Sequence, residues 1–540
     1  MACPGSLPLQ CAAAAAEREY GSAWTEGESL SAERVIMGVD VGSGSTKGVL
    51  VTVDGRLLAE AERPMTIARP RPGWAEQDPD GDWWAALVAV CRELLAAGAG
   101  RPVAVGVSGL GPCLVAADGA GRPLRPAILY GIDARAARDI EELDARLGEA
   151  AILERCGSPL TSQSLGPKLA WLAREEPEVW AQTRRWYTAG SYLVFRLTGE
   201  DVLDHHSASQ CGPLYDVRAN AWIAEWAEAA APGLPLPRLA WPQEALGVVS
   251  AAAAEATGLP QGIPVASGTI DSWAEVAASG LRGPGEALLV YGTTMFLLEV
   301  GTAARPDARL WSTTSFAPGA RNLAGGIGAA GALATWFHGV TGAGSLDELF
   351  EEAAAAGPGG GGLLALPYFN GERTPLFDPD ARGALFGLTT AHDRGHVLRA
   401  LLEGAAFAVR HNLEVMAEAG AGITALRASG GGARDGLWPG IVSDVTGLPQ
   451  RRLAAETGAA TGAAAGSALF AAIALGEADL ATSWARPEEL RPPATAPLYD
   501  GLYGLYRELY PATRAQAHAL ARLQRGGEVL RGRAGQETAR

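Results

Sequence analysis

The sequence predicts an α/β fold built from two domains, and three observations lead to this prediction. The chain has 540 residues, more than a single hydrophobic core usually serves, which favours two domains of roughly 250 residues each. Short apolar runs typical of strands alternate with stretches of helical period, as in α/β proteins. A strand–glycine loop–strand pattern occurs once in each half, which indicates an internal duplication with a cleft between the halves.

Composition excludes several classes of function. The net charge of −16 and the pI of about 5.0 argue against binding to nucleic acid or to an anionic membrane. No apolar run reaches the ~20 residues that a membrane helix requires. The six cysteines show no Cys-x-x-Cys or metal-ligand spacing, so we expect free thiols in a reducing cytoplasm. We therefore expect a cytoplasmic protein whose partner is a small molecule. Whether it forms a homodimer is left open.

The first half begins after residues 1–33, which are poorly patterned. Their apolar run is short and no basic residue precedes it, unlike in a secretory signal peptide. We therefore expect a disordered extension. "RVIMGVD" and "GVLVTV" then predict two strands, followed by the turn pair Asp54-Gly55. The loop between them is not a Walker loop, because Gly48 follows Lys47. It is not a dinucleotide loop either, because Lys47 replaces the third glycine. A loop that joins strand to strand predicts a phosphate held by loop groups, here Gly42, Ser43, Gly44, Ser45, Thr46 and Lys47, with Asp40 beside them at the end of its strand.

Further elements of the first half follow in order. "PGWAEQDPDGDWW" leads into an amphipathic helix, with Asp80 or Asp82 as the expected N-cap. "PVAVGVSG" predicts a buried strand, and "RPLRPAILYGIDARAARDIEELDARLG" predicts a strand and then a helix rich in Arg and Glu. "GIPVASGTIDSWAEV" predicts a strand that ends in a glycine turn and the acid Asp271. We expect this domain to span residues 34–279.

The second half, residues 280–540, opens by repeating the first pattern. "GEALLVYGTTMFLLEVG" predicts two strands around a second cradle formed by Gly292, Thr293 and Thr294. "ALRASGGGARDGLWPG" predicts a strand, a glycine loop and a helix, with Gly430, Gly431, Gly432 and Ala433 in the loop. "TGAATGAAAGSALFAAIALG" predicts a helix of small residues that can pack closely, and an amphipathic helix closes the chain.

Several of these segments, in this order, resemble the FGGY family of carbohydrate kinases. "GVDVGSGSTKGVLVTVDG" looks like its first phosphate loop, and "PKLAWLAREEP" and "GALFGLTTAHDRGHVLRALLEG" are similar to its two signatures. "SGGGARDGLWPGIVSDVTGLP" resembles its adenosine-binding loop. The resemblance implies two RNase H-like domains of the actin/hexokinase/Hsp70 superfamily with an interdomain cleft. It also implies ATP and Mg²⁺ as cofactors, with Asp40 holding Mg²⁺ directly or through water.

The resemblance also implies the catalytic residue. Asp271 in "GTIDSWAE" matches the aspartate of the family's Gly-x-x-Asp segment, which would accept the proton of a sugar hydroxyl as general base. The alternative role for an aspartate at the start of a helix is an N-cap.

The sugar pocket departs from the pattern of the family's pentulose kinases. Ser-Gly-Gln-Met-His-Gly is replaced by "SGLGPC", which puts Pro112 at the histidine position. Trp-Asn-Asp-x-Arg is replaced by "YGIDAR", which keeps the acid as Asp133. The expected sugar-binding residues are Leu110, Gly111, Pro112, Tyr130, Asp133, Asp271 and Ser272.

The expected function is thus ATP-dependent phosphorylation of a sugar, a ketopentose in the manner of a xylulokinase. Alternative acceptors are a polyol, an aldonate or another sugar, and another class of function is a non-catalytic, nucleotide-binding sugar sensor on the same fold. An Hsp70-like chaperone is disfavoured because the chain lacks a peptide-binding β-domain. His205 and His206 suggest a metal pair, but their adjacent spacing is unlike that of metal ligands on a helix.

Overall fold

The computed structural model describes residues 33–316, 318–342, 344–434, 436–453, 462–484, 487–489, 492–494 and 497–525. Apart from Glu33, the extension expected at residues 1–33 lies outside this part of the chain. The strands, in chain order β1 to β24, are Arg34–Val41, Ser45–Thr52, Leu57–Pro64, Glu76–Gln77, Arg101–Gly109, Val115–Ala117, Ala127–Ile128, Arg185–Tyr187, Val202–Asp204, Tyr215–Asp216, Ala221–Trp222, Arg238–Ala240, Ala245–Val248, Pro264–Ala266, Thr269–Ile270, Glu286–Tyr291, Met295–Thr302, Trp311–Thr314, Arg321–Ile327, Leu364–Leu366, Ala384–Phe386, Ala425–Ser429, Gln450–Leu453 and Pro487–Glu489.

Helices cover these sheets and connect their strands. In chain order α1 to α16 they are Ala85–Ala96, Ala137–Leu147, Glu149–Cys156, Gly166–Glu175, Pro177–Gln182, Ala189–Thr198, His205–Ser209, Ala224–Ala230, Ala251–Thr257, Asp271–Ala278, Gly331–Thr341, Leu346–Ala356, Arg394–Ala419, Leu437–Thr446, Gly462–Ala474 and Pro497–Arg525. A π-helical turn, Pro79–Trp84, precedes α1, and 3₁₀ turns lie at Gly360–Gly362 and Gly431–Ala433.

Two sheets organise the described residues, and they share one topology. In the first sheet the order is β13-β14-β5-β1-β2-β3, with β15 also paired to β5. In the second the order is β18-β19-β17-β16-β22-β23-β24. In both, a central antiparallel hairpin (β1–β2 and β16–β17) pairs in parallel on one side with the next strand of the core, β5 or β22. The internal duplication predicted from the repeated strand–loop–strand pattern is confirmed.

Helix α15 joins the C-terminal half of the chain to the first sheet, and small residues make this contact possible. A Cβ at Gly38 of β1 would lie 1.9 Å from the carbonyl oxygen of Ala464, and one at Gly106 of β5 would lie 1.8 Å from that of Ser467. Gly466 is held equally close to the backbone of Ala274 on α10. The close packing predicted for this helix is confirmed, and it fixes α10 against the first sheet.

The helix after the "PGWAEQDPDGDWW" segment begins earlier than the sequence predicted. The side chain of Asp78 accepts a hydrogen bond from the Asp80 amide, and the side chain of Asp82 accepts one from the Asp78 amide. Asp78 is therefore the N-cap of the helical stretch, in place of Asp80 or Asp82. The proline at position 79 explains the shift, because proline is favoured in the first turn of a helix.

Two further expectations concern the whole chain. Among the described helices, none combines the length and apolarity that a membrane crossing needs. Four cysteines lie in the described part, and all four are buried free thiols: Cys91, Cys113, Cys156 and Cys211.

Candidate active site

A cavity of about 210 Å³ lies between the two halves of the chain. Both halves line it: the first sheet and the segments that follow β5 form one wall, and the second sheet forms the other. The lining residues are Gly111, Pro112, Tyr130, Cys156, Ser158, Pro159, Thr161, Gln163, Ser164, His206, Ser209, Gln210, Gly212, Ile270, Asp271, Ser272, Thr294, Phe296, Leu298, Trp311, Thr313, Ala324 and Arg373.

Asp271 is the carboxylate of this cavity. It directly follows β15, which pairs in parallel with the end of β5 (Ile270 opposite Gly109), and it is the first residue of α10. The N-cap of α10 is Ile270, and no side chain caps the helix, so Asp271 does not have the alternative role of an N-cap. Its Oδ1 accepts the amide of Ser272 at 2.6 Å. Burial, together with the nearby charge of Asp40, raises the pKa of Asp271 to about 8. A carboxyl group with a raised pKa holds a proton well, which suits a general base.

Asp40 lies beside Asp271 because β5 brings their strands together. Asp40 pairs with Ser108 in the parallel register of β1 and β5, and Ser108 in turn pairs with Thr269. The Ser108 hydroxyl donates to Asp40 Oδ1 at 2.7 Å, and Ser467 of α15 lies 2.9 Å from the same hydroxyl. Burial raises the pKa of Asp40 to about 6 against this hydrogen bond, and the charge of Glu275 adds to the increase.

Glu275 is a third carboxylate of this group, half-buried like Asp40 and Asp271, and the sequence reasoning missed it. Its Oε1 accepts a 2.5 Å hydrogen bond from Ser429, the last residue of β22 before the glycine loop. Burial raises the pKa of Glu275, while Ser429 and the charge of Lys47 lower it. The signal was present in the sequence, since residues four apart on a helix share one face and Asp271 and Glu275 are four apart on α10.

The carboxylates of Asp40 and Glu275 suit a hard divalent cation whose other ligands are water and the phosphates of a substrate. Within the described residues, no three His, Cys, Asp or Glu side chains are placed to hold a metal by themselves. The donors available at Asp40 and Glu275 are carboxylate oxygens, and burial raises the pKa of both groups. Mg²⁺ is commonly held in this way, by one or two carboxylates, water and the phosphates of a substrate.

The first predicted phosphate loop is a tight hairpin beside Asp40. The amide of Gly42 donates to the carbonyl of Ser45 at 3.0 Å, so Ser43 and Gly44 form the tip between β1 and β2. Gln77 supports the tip by donating its amide to the Ser43 carbonyl at 3.0 Å. Lys47 extends from β2 to the surface, 3.8 Å from Glu62, and its charge lowers the pKa of Asp40.

The second predicted loop repeats this geometry. The amide of Gly292 donates to the carbonyl of Thr294 at 3.0 Å, which leaves Thr293 at the tip between β16 and β17. The glycine loop of residues 430–433 lies against the same hairpin, since a Cβ at Gly430 would lie 2.7 Å from the carbonyl of Tyr291. The structure thus brings the loops at 292–294 and 430–433 together.

Three predicted site residues need correction. The hydroxyl of Thr46 is buried and donates to Met65 Sδ at 3.4 Å, so this hydroxyl is already engaged inside the protein. Leu110 is buried in the hydrophobic core of the first half, and its neighbours Gly111 and Pro112 line the cavity instead. Asp133 lies outside the cavity lining, and its fully buried side chain pairs with Arg135 at 2.7 Å and accepts the amide of Ala75.

Polar cavity residues from distant segments were also missed. Gln163 accepts the amide of Gly131 at 2.9 Å and so joins its loop to the one that carries Tyr130. Lys168, which is fully buried, holds the same loop by donating to the carbonyls of Ser162 and Ser164. Gln210, Trp311 and Arg373 reach the cavity from segments that had been given no role.

Each of the two adjacent histidines, His205 and His206, has a ring nitrogen next to an oxygen atom of the protein. His206 Nδ1 lies 2.9 Å from the Thr314 carbonyl, and its ring stacks on Trp273 at 4.6 Å. His205 Nδ1 lies 2.7 Å from the hydroxyl of Tyr215. Burial lowers the pKa of both imidazoles to about 4. Their segment joins the two halves of the chain, and His206 lines the cavity.

Comparison with known proteins agrees with this geometry. Residues 35–278 match the model of the N-terminal domain of the FGGY family of carbohydrate kinases, and residues 287–475 match that of its C-terminal domain. A xylulose kinase of Escherichia coli is 30% identical over 458 residues, which is 84% of this chain and 90% of that one. A glycerol kinase of Thermus brockianus is 32% identical over 492 residues, 88% of this chain and 97% of that one.

A solved structure shows the same fold. The xylulose kinase from Rhodospirillum rubrum is 34% identical and superimposes with a TM-score of 0.81, covering 90% of this chain and all of that one. The two sheets of shared topology, the hairpin loop in each half and the matches over both halves lead to one conclusion. The chain belongs to the FGGY family of carbohydrate kinases and is a phosphotransferase with an alcohol group as acceptor.

Proposed function

We propose that the protein transfers the γ-phosphoryl group of ATP to a terminal hydroxyl of a ketopentose such as xylulose, with Mg²⁺ as the metal and Asp271 as general base. The observation that carries this proposal is the position of Asp271. It is a half-buried carboxylate with a raised pKa that lines the cavity directly after β15, beside Asp40 and the first hairpin loop.

The proposed step needs little covalent chemistry from the protein. Asp271 accepts the proton of the sugar hydroxyl while the hydroxyl oxygen forms a bond to the γ-phosphorus and the bond to the β-bridging oxygen breaks, which releases ADP. A positioned base contributes about 10²–10⁴ in rate. Mg²⁺ held between Asp40, water and the phosphates would neutralise charge that develops on the transferred group.

We assign the other predicted residues by their places around the cleft. The ATP phosphates would lie between the two hairpin loops, against Ser43, Gly44, Ser45 and Lys47 on one side and Gly292, Thr293 and Thr294 on the other. The adenosine would lie on Gly430, Gly431, Gly432 and Ala433, and the sugar would contact Gly111, Pro112, Tyr130 and Ser272. This assignment follows the predicted division into residues 34–279 and 280–540.

Support for a ketopentose comes from the relatives. The similar proteins in E. coli and R. rubrum are xylulose kinases, and the match extends over most of each chain. A polyol is the second candidate, because a glycerol kinase is similar to the same degree and Pro112 removes a side-chain hydrogen-bonding group from the pocket.

The test is ADP release from Mg-ATP with D-xylulose, other ketopentoses, glycerol, xylitol and aldonates. We expect the highest kcat/KM on a ketopentose. The highest kcat/KM on glycerol or another polyol would replace the ketopentose by the second candidate. Tight ATP binding without turnover of any acceptor would contradict the enzymatic proposal and favour a sugar sensor.

A further inference from the structure

Arg373 is the only charged side chain that the C-terminal half contributes to the cavity, within the part of the chain that the structure describes. It lies between β20 and β21, next to Glu372, whose Oε1 accepts the Arg373 amide at 2.7 Å. The guanidinium lies 4.6 Å from the ring of Trp311 and rests on Gly326, where a Cβ would come within 2.9 Å of it.

The guanidinium makes no hydrogen bond or ion pair with any described residue. Arg373 is half-buried, and it differs from two arginines with buried side chains, since Arg135 pairs with Asp133 and Glu76 and Arg399 pairs with Glu403. Burial lowers the pKa of Arg373. A guanidinium has five N–H donors and no acceptor, and a half-buried arginine that lines a cavity offers these donors to a molecule that enters it. The surroundings of Arg373 therefore favour an incoming group that accepts hydrogen bonds.

Arg373 stands apart from the carboxylates at which phosphoryl transfer is proposed. Lys47, not Arg373, is the cation that acts on Asp40 and Glu275. Tyr130 is affected by both sides of the cavity: burial and the charge of Asp271 raise its pKa, while the charge of Arg373 lowers it. Arg373 lies against Trp311 and Gly326 of the second sheet, whereas Asp271 follows β15 of the first sheet. A sugar whose reacting hydroxyl lies at Asp271 would therefore offer a different part of its chain to Arg373.

We propose that Arg373 determines specificity by binding an oxygen of the substrate that only accepts hydrogen bonds, namely the carbonyl of a ketose or the carboxylate of an aldonate. This inference rests on the proposed sugar-kinase function and narrows its substrate class. A planar guanidinium matches such oxygens in geometry and charge. A polyol offers only hydroxyls, each of which also needs an acceptor for its own proton, and the Trp311 ring supplies none.

The test compares three five-carbon compounds that differ in one function: D-xylulose, D-xylonate and xylitol. Arg373→Met keeps an extended side chain on Trp311 but removes the donors. We expect kcat/KM for the preferred carbonyl or carboxylate substrate to fall about 100-fold, mainly through KM, with a change of less than about threefold for xylitol. Arg373→Lys should restore part of the loss. A loss with xylulose would identify the oxygen as the ketose carbonyl, and a loss with xylonate would identify it as the aldonate carboxylate.

Two further variants guard against a general structural effect. Gly326→Ala places a methyl group against the guanidinium and should reproduce the selective loss. Arg71→Met removes an exposed arginine that also lies 4.6 Å from a tryptophan ring, that of Trp74, but outside the cavity, and it should change nothing. An equal loss on all three compounds, or no loss, would overturn the proposal.

Binding of the same compounds to the wild type and to Arg373→Met, measured by calorimetry, separates this inference from the proposed function. If no compound is turned over, the kinase proposal fails, but a binding preference for xylulose or xylonate over xylitol that disappears in Arg373→Met still supports the role of Arg373. Equal binding of the three compounds to the wild type, or no binding of any, would overturn it.

Discussion

The charge of Asp40 raises the pKa of Asp271, although 231 positions separate the two residues in the sequence. They meet because β1 and β15 both pair in parallel with the end of β5. Two carboxylates this close in a buried site resist simultaneous ionisation, so the pair is poised to bind a proton or a cation. Three predictions follow from this relationship.

The pH dependence of activity should show the raised pKa of Asp271. A general base must be deprotonated, so kcat/KM for the sugar should rise with pH toward about 8, the pKa of Asp271 in the free protein. In the pH profile of kcat the same rise should occur at lower pH, because a cation near Asp40 offsets the negative charge that raises the pKa of Asp271. Initial rates from about pH 6 to about pH 9 measure both, and a flat profile would contradict the assignment.

Asp271→Asn should stabilise the ligand-free protein at alkaline pH. The pKa of Asp271 is raised from 3.8 to about 8, so the folded state binds this proton more tightly than the unfolded state, and stability falls as pH rises through that interval. Each unit of such a shift corresponds to about 1.4 kcal/mol. Thermal unfolding should therefore show a higher Tm for the variant at pH 8.5, with a difference that disappears near pH 4.

Asp118, whose side chain is half-buried at the surface, provides a control of opposite sign. Hydrogen bonds from the Arg122 amide and side chain lower its pKa, so its charge stabilises the folded state at pH values above its unfolded pKa and that contribution is lost on acidification. Asp118→Asn should lower the Tm at pH 8.5. If Asp271→Asn also lowers the Tm at this pH, the ionised side chain of Asp271 does not destabilise the folded state, and this result would contradict its raised pKa.

Asp40→Asn should separate two roles of Asp40: the effect of its charge on the pKa of Asp271 and its proposed binding of Mg²⁺. Removing its charge lowers the pKa of Asp271, so the acid limb of kcat/KM should move to lower pH. If Asp40 binds the metal as proposed, removing its carboxylate should at the same time raise the Mg²⁺ concentration needed for half-maximal activity, by about tenfold or more. Titration of the residual activity with Mg²⁺ at several pH values measures both effects. An unchanged Mg²⁺ requirement would remove Asp40 from the metal site.

The sequence predicted those parts of the site whose chemistry is encoded locally. The hairpin loops at 42–47 and 292–294 could be recognised because each needs only a strand, a glycine turn and a second strand. Asp271 was recognised from its segment, and Glu275 could have been found from helical spacing alone. These features depend on neighbours within a few residues.

The remaining parts depend on contacts between distant segments. Gln163, His206 and Arg373 converge on the cavity only after both halves have folded. Asp133 shows the opposite error: it lies in a segment similar to a sugar-binding one, but Arg135, two positions later, pairs with its carboxylate in the interior. A short motif identifies a loop, whereas burial and ion pairing decide where its side chains point.

The proposed role of Asp271 as the base for phosphoryl transfer is tested most directly by the turnover of Asp271→Asn on the best acceptor of the wild type. We expect kcat to fall by about 10²–10⁴, while calorimetry shows that the sugar and ATP still bind with affinities close to those of the wild type. Turnover within about tenfold of the wild type would contradict the assignment, because no other carboxylate among the described residues lines the cavity.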